Sequence, residues 1–264
     1  MSGPLRARKR FGQHFLHDPA VIERIVSAID LKRGDAAVEI GPGHGALTQR
    51  LLTAAGQLEA IEIDRDLAAS LRSRYASQST FVLHETDALT VDWPALAHKH
   101  SSRLRIIGNL PYNISTPLLF RLLGSASVIH DMHFMLQKEV VDRILATPGS
   151  GDYGRLTVML APRVTAARLL EVGPGAFRPA PKVASAVVRL TVVQEPPAWA
   201  LTETYAKIVL AAFSQRRKTL RNALRTYLTA QQIVEQGIDP GVRAETLSAT
   251  QFAALARAAA AVLH

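Results

Sequence analysis

Residues 36–52 read AAVEIGPGHGALTQRLL: an apolar run with the character of a strand, then Gly41, Gly43 and Gly45, then apolar positions at helical spacing. Glycine has no Cβ, so a strand-to-helix turn built this way lets the backbone approach a ligand closely. Gly41-x-Gly43-x-x-Ala46 also satisfies the dinucleotide fingerprint that cradles a pyrophosphate at a helix N-terminus. The loop alone therefore leaves open a dinucleotide, another nucleoside cofactor, or a plain turn.

Outward from this loop the same alternation repeats. Before it, Asp18-Pro19 has the form of an N-cap followed by proline in the first helical turn, and Val21, Ile22, Ile25, Val26 and Ile29 recur at helical spacing. After it, strands are predicted at 58–63, 81–83 and 104–107, with helices starting at Asp66 and Thr116. Alternate apolar residues over 130–136 and the β-rich run 183–193 extend the sheet. This pattern predicts an α/β protein with a Rossmann-like, doubly wound, mostly parallel sheet. Gln194-Glu195-Pro196-Pro197 punctuates the chain, and the patterns at 205–213, 218–228 and 251–263 are helical, with Ser248 and Gln251 spaced as a capping box. The expected domains are 1–195 and a small all-helical domain, 196–264.

In such a sheet, ligands bind beyond the C-terminal strand ends. Glu62 ends the second strand 21 residues after Gly41, placed to accept hydrogen bonds from ribose hydroxyls. Asp87 follows the third strand, where a carboxylate can accept from an adenine amino group, and acids at successive strand ends favour a nucleoside without phosphates. The fourth strand runs into Gly108-Asn109-Leu110-Pro111-Tyr112-Asn113.

Composition narrows the classes further. The 264 residues are 48% hydrophobic, enough for one large core and a small second domain. The absence of cysteine excludes a disulfide framework and thiolate metal sites and suits a reducing compartment, with cytoplasm expected. No stretch approaches the roughly 20 apolar residues of a membrane span. With 31 Lys and Arg against 22 Asp and Glu, the formal charge is +9, which suits a polyanionic partner. Basic residues cluster at Arg6, Arg8, Lys9 and Arg10 and again at Arg216, Arg217, Lys218, Arg221 and Arg225; the spacing of 217, 221 and 225 predicts one face of a helix. His98-Lys99-His100 reads as an exposed loop, and no metal is expected.

Arg8-Lys9-Arg10-Phe11-Gly12-Gln13, EIGPGHGALT, Asn109-Leu110-Pro111-Tyr112, Phe177-x-Pro179-x-Pro181-x-Val183-x-Ser185 and 213–220 (FSQRRKTL), in this order over nearly the whole chain, resemble the small-subunit ribosomal RNA adenine dimethyltransferases. The resemblance implies S-adenosylmethionine as methyl donor and transfer of four methyl groups, two to each of two adjacent adenines near the 3′ end of small-subunit (16S) RNA. It implies a partner in the assembling 30S subunit rather than DNA or membrane, and a monomer. It places His14, Leu16, Gly41, Glu62, Asp87 and Asn109 at the cofactor, with Gly43 of the same loop. An adenine amine is a poor nucleophile because its lone pair is delocalised into the ring. The Asn109 side-chain oxygen and the Leu110 carbonyl are candidates to hold its hydrogens, with Pro111 stiffening the loop. Tyr112 and Phe177 are expected to clamp the base. Arg8, Lys9, Arg10, Arg216, Arg217, Lys218 and Arg221 are expected to contact RNA phosphates. Many members of that family carry Asn where this chain has His14. Three alternatives remain: an enzyme acting on large-subunit RNA, a noncatalytic RNA-binding assembly factor, and a dinucleotide-dependent oxidoreductase, which gives no role to Asn109–Tyr112 or the basic tail.

Overall fold

A computed structural model describes residues 14–111, 114–215 and 217–262. A short strand β1 (Phe15–Leu16) precedes helix α1 (Pro19–Ile29). The Asp18 carboxylate caps α1 by accepting the amides of Ala20 and Val21, and Ile22, Ile25 and Ile29 turn inward. The alternation then runs β2 (Ala36–Ile40), α2 (Thr48–Ala55), β3 (Leu58–Glu62), α3 (Arg65–Arg74), β4 (Phe81–Glu85), α4 (Trp93–His100), β5 (Leu104–Asn109), α5 (Ser115–Gly124) and β6 (Ile129–Gln137). After it come α6 (Lys138–Leu145), α7 (Arg155–Leu160), β7 (Val164–Val172), β8 (Phe177–Arg178) and β9 (Ser185–Val192). Helices α8 (Glu203–Phe213), α9 (Leu220–Ala223), α10 (Ala230–Glu235) and α11 (Ala249–Val262) end the described chain.

Seven strands form one sheet in the order β4-β3-β2-β5-β6-β9-β7. The five from β4 to β6 are parallel, and β9 runs antiparallel to β6. Chain order moves outward from β2 through β3 to β4 and then returns to β5 on the other side of β2. The two neighbouring strands β2 and β5 therefore diverge into loops going opposite ways, the topological switch point at which open α/β sheets bind ligands. Ile40 pairs with Gly108 at that point, so the glycine loop and the segment from Asn109 leave the sheet side by side. Every residue of β2 and β3 is buried, as befits parallel strands covered on both faces.

The chain divides into two compact units. One holds the residues up to Val141 together with Ala167–Val192; the other holds Asp142–Ala166 and the chain from Val193 on. These units differ from the expected division at 195/196 in that 142–166 and 193–195 group with the C-terminal helices. Tyr205 on α8 donates its hydroxyl to the Val158 carbonyl at 3.0 Å, and Tyr153 donates to the Leu247 carbonyl at 2.8 Å. The periodicity of 142–166 holds no marker of which neighbour it packs on. The expected continuous helix over 218–228 is also shorter: α9 is a single turn, whose first amides, of Leu220 and Arg221, bond to the carbonyls of Val242 and Pro240. Arg217, Arg221 and Arg225 are exposed, but only Arg221 lies in α9, so the three do not form one face of a helix. Among the described residues, no helix is long and apolar enough to cross a membrane.

Candidate active site

A cavity opens at the switch point, within the first unit. Its floor is the glycine loop, where Gly41, Gly43 and Gly45 take φ of +65°, +58° and +80°, values that a side-chain-bearing residue adopts only with strain. One wall is the end of β3 and the turn after β4, with Glu62, Ile63 and Asp87; the other is Asn109-Leu110-Pro111, and His14-Phe15-Leu16 closes the side.

Glu62 is buried and fixed by two backbone donors, the Gly43 amide at 3.1 Å and the Asp64 amide at 2.9 Å. Burial raises its pKa, and those two amides counter part of the rise. Asp87 accepts the Leu89 amide at 2.9 Å in a tight turn, which holds its carboxylate at the rim. The Asn109 amide nitrogen donates to the His14 carbonyl at 3.1 Å. A carbonyl can only accept, so this bond sets which way the amide lies and leaves Oδ1 as an acceptor for a substrate. The Leu110 amide donates to the Met135 carbonyl, tying the loop to β6. His14 contributes through its backbone: its ring Nδ1 donates instead to the Pro179 carbonyl at 2.7 Å. An Asn-to-His change at this position therefore leaves the Asn109 contact in place.

One acid of the cavity is not among the residues expected. Glu39 lies in β2, is buried, and accepts the Thr48 hydroxyl at 2.7 Å. Its signal in the sequence is a single acid in the otherwise apolar AAVEI strand. Burial pushes its pKa up to about 7, the Thr48 hydrogen bond opposes this, and the nearby Glu62 charge adds to it. Because the folded state binds this proton more tightly, the stability it confers is present below the unfolded pKa of 4.5 and is lost as pH rises through about 7. Glu39→Gln is expected to stabilise the ligand-free protein by about 3 kcal/mol at pH 8 and by little at pH 4. Urea unfolding at both pH values checks this; an equal effect at both would mean that Glu39 is not buried as an acid.

Other expected residues lie elsewhere. Phe177 pairs with Leu16 across β1 and β8, is 3% exposed, and packs in the core with Met135 and Val187. Phe177 is not among the residues that line the cavity in the ligand-free chain, and its pairing with Leu16 braces the side wall. Tyr112, Arg8, Lys9, Arg10 and Arg216 fall outside the described residues. His98 and His100 end α4 instead of occupying a loop, and His100 Nε2 lies 3.0 Å from the buried Glu59 carboxylate, which His84 also contacts. Among the described residues no group of three or more His, Cys, Asp or Glu side chains is arranged to hold a metal ion.

The electrostatics of the cavity distinguish the cofactors that the glycine loop left open. Its described lining includes three carboxylates, Glu39, Glu62 and Asp87, and no Lys or Arg. Such a wall repels a pyrophosphate and suits a nucleoside that carries positive charge. S-adenosylmethionine, with a sulfonium and an ammonium group, fits it.

Comparison with known proteins gives the same assignment. The profile of the ribosomal RNA adenine dimethylase family matches residues 5–261. The chain is 54% identical over 255 residues to the ribosomal RNA small subunit methyltransferase A of Nitrosococcus oceani, covering 96% of each chain. It is 53% identical to the protein of the same name from Methylococcus capsulatus, over 95% of this chain and 96% of that one. Among solved structures it resembles a dimethyladenosine transferase from Plasmodium falciparum (TM-score 0.76, 25% identity, 92% of this chain and 96% of that one). It also resembles the 23S rRNA methyltransferase ErmE (TM-score 0.68, 29% identity, 92% and 98%). With the acidic nucleoside cavity at the switch point and a match along almost its whole length, this chain belongs to the ribosomal RNA adenine dimethylase family.

Proposed function

We propose that the protein dimethylates the N6 amine of two adjacent adenines near the 3′ end of small-subunit ribosomal RNA, using S-adenosylmethionine, on the assembling 30S subunit. The observation that carries this reading is the cavity beside Asn109, whose described lining holds three acids and no Lys or Arg; it suits a cationic nucleoside at one end and offers acceptors to an amine at the other. The relatives named for small-subunit RNA are far more similar in sequence than ErmE, which favours the small subunit as target. The enzyme acts as a monomer in the cytoplasm.

The cofactor supplies an electrophilic methyl group on its sulfonium. The chain supplies position and charge. Glu62 accepts ribose hydroxyls, Asp87 the adenine amino group, and Glu39 offsets positive charge at the methionine end; Gly41, Gly43, His14 and Leu16 complete the cradle. In the first transfer Asn109 Oδ1 and the Leu110 carbonyl would accept the two amine hydrogens, and in the second one of them would hold the single hydrogen left, each time presenting the nitrogen lone pair for attack. Pro111 stiffens that turn, and Tyr112 offers a stacking face. The amine proton becomes acidic as the new bond forms and leaves to water, so no general base is required. Arg8, Lys9, Arg10, Arg216, Arg217, Lys218 and Arg221 neutralise phosphates and position the RNA without reading its sequence.

The test is transfer of labelled methyl groups to small subunits that lack adenine methylation, with large subunits as control and mass spectrometry of the product nucleosides. Dimethyladenosine confined to small-subunit RNA is expected. Label only in the large subunit would reassign the substrate, and no label in either would leave a noncatalytic assembly factor.

A further inference from the structure

One residue of the glycine loop, His44, lines the cavity and also makes contacts away from it. His44 lies between the two left-handed glycines Gly43 and Gly45. Its carbonyl accepts Arg74 Nη1 at 2.6 Å, and a Cβ on Gly45 would stand only 3.0 Å from that same nitrogen. The loop is thus held on one side by α3. On the other side the His44 ring packs on Phe15, with ring centroids 4.1 Å apart and an interplanar angle of 50°. Phe15 lies flush against the loop: a Cβ on Gly43 would come within 3.2 Å of two of its ring atoms.

Phe15 is also the neighbour of His14, whose carbonyl orients Asn109. Strand β1 is two residues long and pairs with the equally short β8. A ribbon of that length has little stability of its own, so what presses it onto the loop matters for where its carbonyls point. We infer that His44 is a positioning residue for methyl transfer: its ring, seated on Phe15, locks β1 to the glycine loop and so fixes the His14 carbonyl that aims Asn109. This rests on the reading of the cavity as a cofactor and amine site. It adds that cofactor loop and amine acceptor are mechanically joined through two aromatic rings.

The test is a double-mutant cycle of His44→Ala and Phe15→Leu, with His44→Phe as the rescuing variant. His44→Ala is expected to fold normally, to raise the Kd for S-adenosylmethionine about fivefold and to lower kcat about tenfold, the scale of one lost aromatic contact plus a loosened acceptor. Phe15→Leu should give similar losses, and the double variant little more than either, because both remove one contact. His44→Phe should recover both constants to within about twofold. Amide hydrogen exchange of the ligand-free protein provides a readout independent of chemistry: His44→Ala should speed exchange at 15–17 while the other strands stay protected. Additive losses, no rescue by phenylalanine, or unchanged exchange at 15–17 would each overturn the inference. If instead the wild type fails to bind S-adenosylmethionine, the cofactor assignment fails, and the exchange experiment still decides whether the rings hold β1.

Discussion

Gly108→Ala is expected to lower kcat/KM for methyl transfer about a hundredfold in protein that is still folded. Gly108 is the last residue of β5 before Asn109, paired with Ile40 on one side and Phe134 on the other. A Cβ there would stand 2.9 Å from the Ile40 carbonyl oxygen and 2.9 Å from Leu110 Cδ2. The Leu110 side chain is buried and the Ile40 oxygen is part of the backbone, so neither moves aside cheaply. The added methyl must push β2 and β5 apart at the one place where both lead into the site. Overpacking of this kind costs about 1–3 kcal/mol of stability. The larger loss is catalytic, because displacing Asn109 by about 1 Å is enough to forfeit roughly a hundredfold in rate. Gly124→Ala is the control: that glycine ends α5 with nothing within 4 Å of the added carbon, so its activity should be unchanged. Steady-state rates well below both melting points decide the matter. Activity of Gly108→Ala within about threefold of wild type would mean that strand spacing at this point does not place Asn109.

The parts of this site that could be read from the sequence are those in which one residue carries its own evidence. The glycine loop, the acid 21 residues beyond it and the Asn109 segment each follow a strand of clear apolar pattern, and topology then brings strand ends together. What could not be read depends on contacts between distant segments. The orientation of Asn109 comes from a carbonyl 95 residues away, and the His14 ring is satisfied by Pro179, 165 residues away. Phe177 looked like a loop aromatic because 177–182 is rich in proline; its pairing with Leu16, which buries it, involves a strand of only two residues, too short to leave a period. The grouping of 142–166 was unreadable for the same reason: it rests on contacts such as Tyr205 of α8 to Val158 and Tyr153 to Leu247, between segments 47 and 94 residues apart.

The largest stability loss is expected at Arg105, at the opposite end of β5 from Asn109. Its guanidinium binds Asp131 through two bonds of 3.0 and 2.8 Å, Asp35 at 2.7 Å, and the carbonyls of Ile29 and Asp30 at 3.0 Å each. One planar fork thus joins β5 to β6 and to the C-terminal end of α1. Arg105→Ala leaves the buried Asp131 carboxylate without its counter-charge and two carbonyls without a donor, a loss of about 3–5 kcal/mol. Arg105→Lys should recover little, since an ammonium cannot span four separated acceptor groups. Burial pushes the Asp35 carboxyl up, but the Lys32 amide and then Arg105 outweigh this and hold it below its ordinary range. A lowered acid contributes stability at neutral pH that is lost as pH falls through the carboxylate range. The gap between wild type and Arg105→Ala should therefore narrow between pH 7 and about pH 4. His133 adds to the same trend. It sits 3.7 Å from Asp131 with its pKa pushed down to about 4, chiefly by burial, and Arg105 is one of the charges holding it there. Once Arg105 is gone, His133 takes up a proton more readily and can neutralise Asp131. The paired change Arg105→Met with Asp131→Leu should restore most of the stability, because it removes the buried charge along with its partner. Urea unfolding across this pH range measures all three variants. Cofactor affinity measured in the cold, where Arg105→Ala remains folded, should match wild type, which would separate the bracing of β5 at its start from the chemistry at its end. A loss below about 1 kcal/mol would mean instead that β5, β6 and α1 hold together by apolar packing alone.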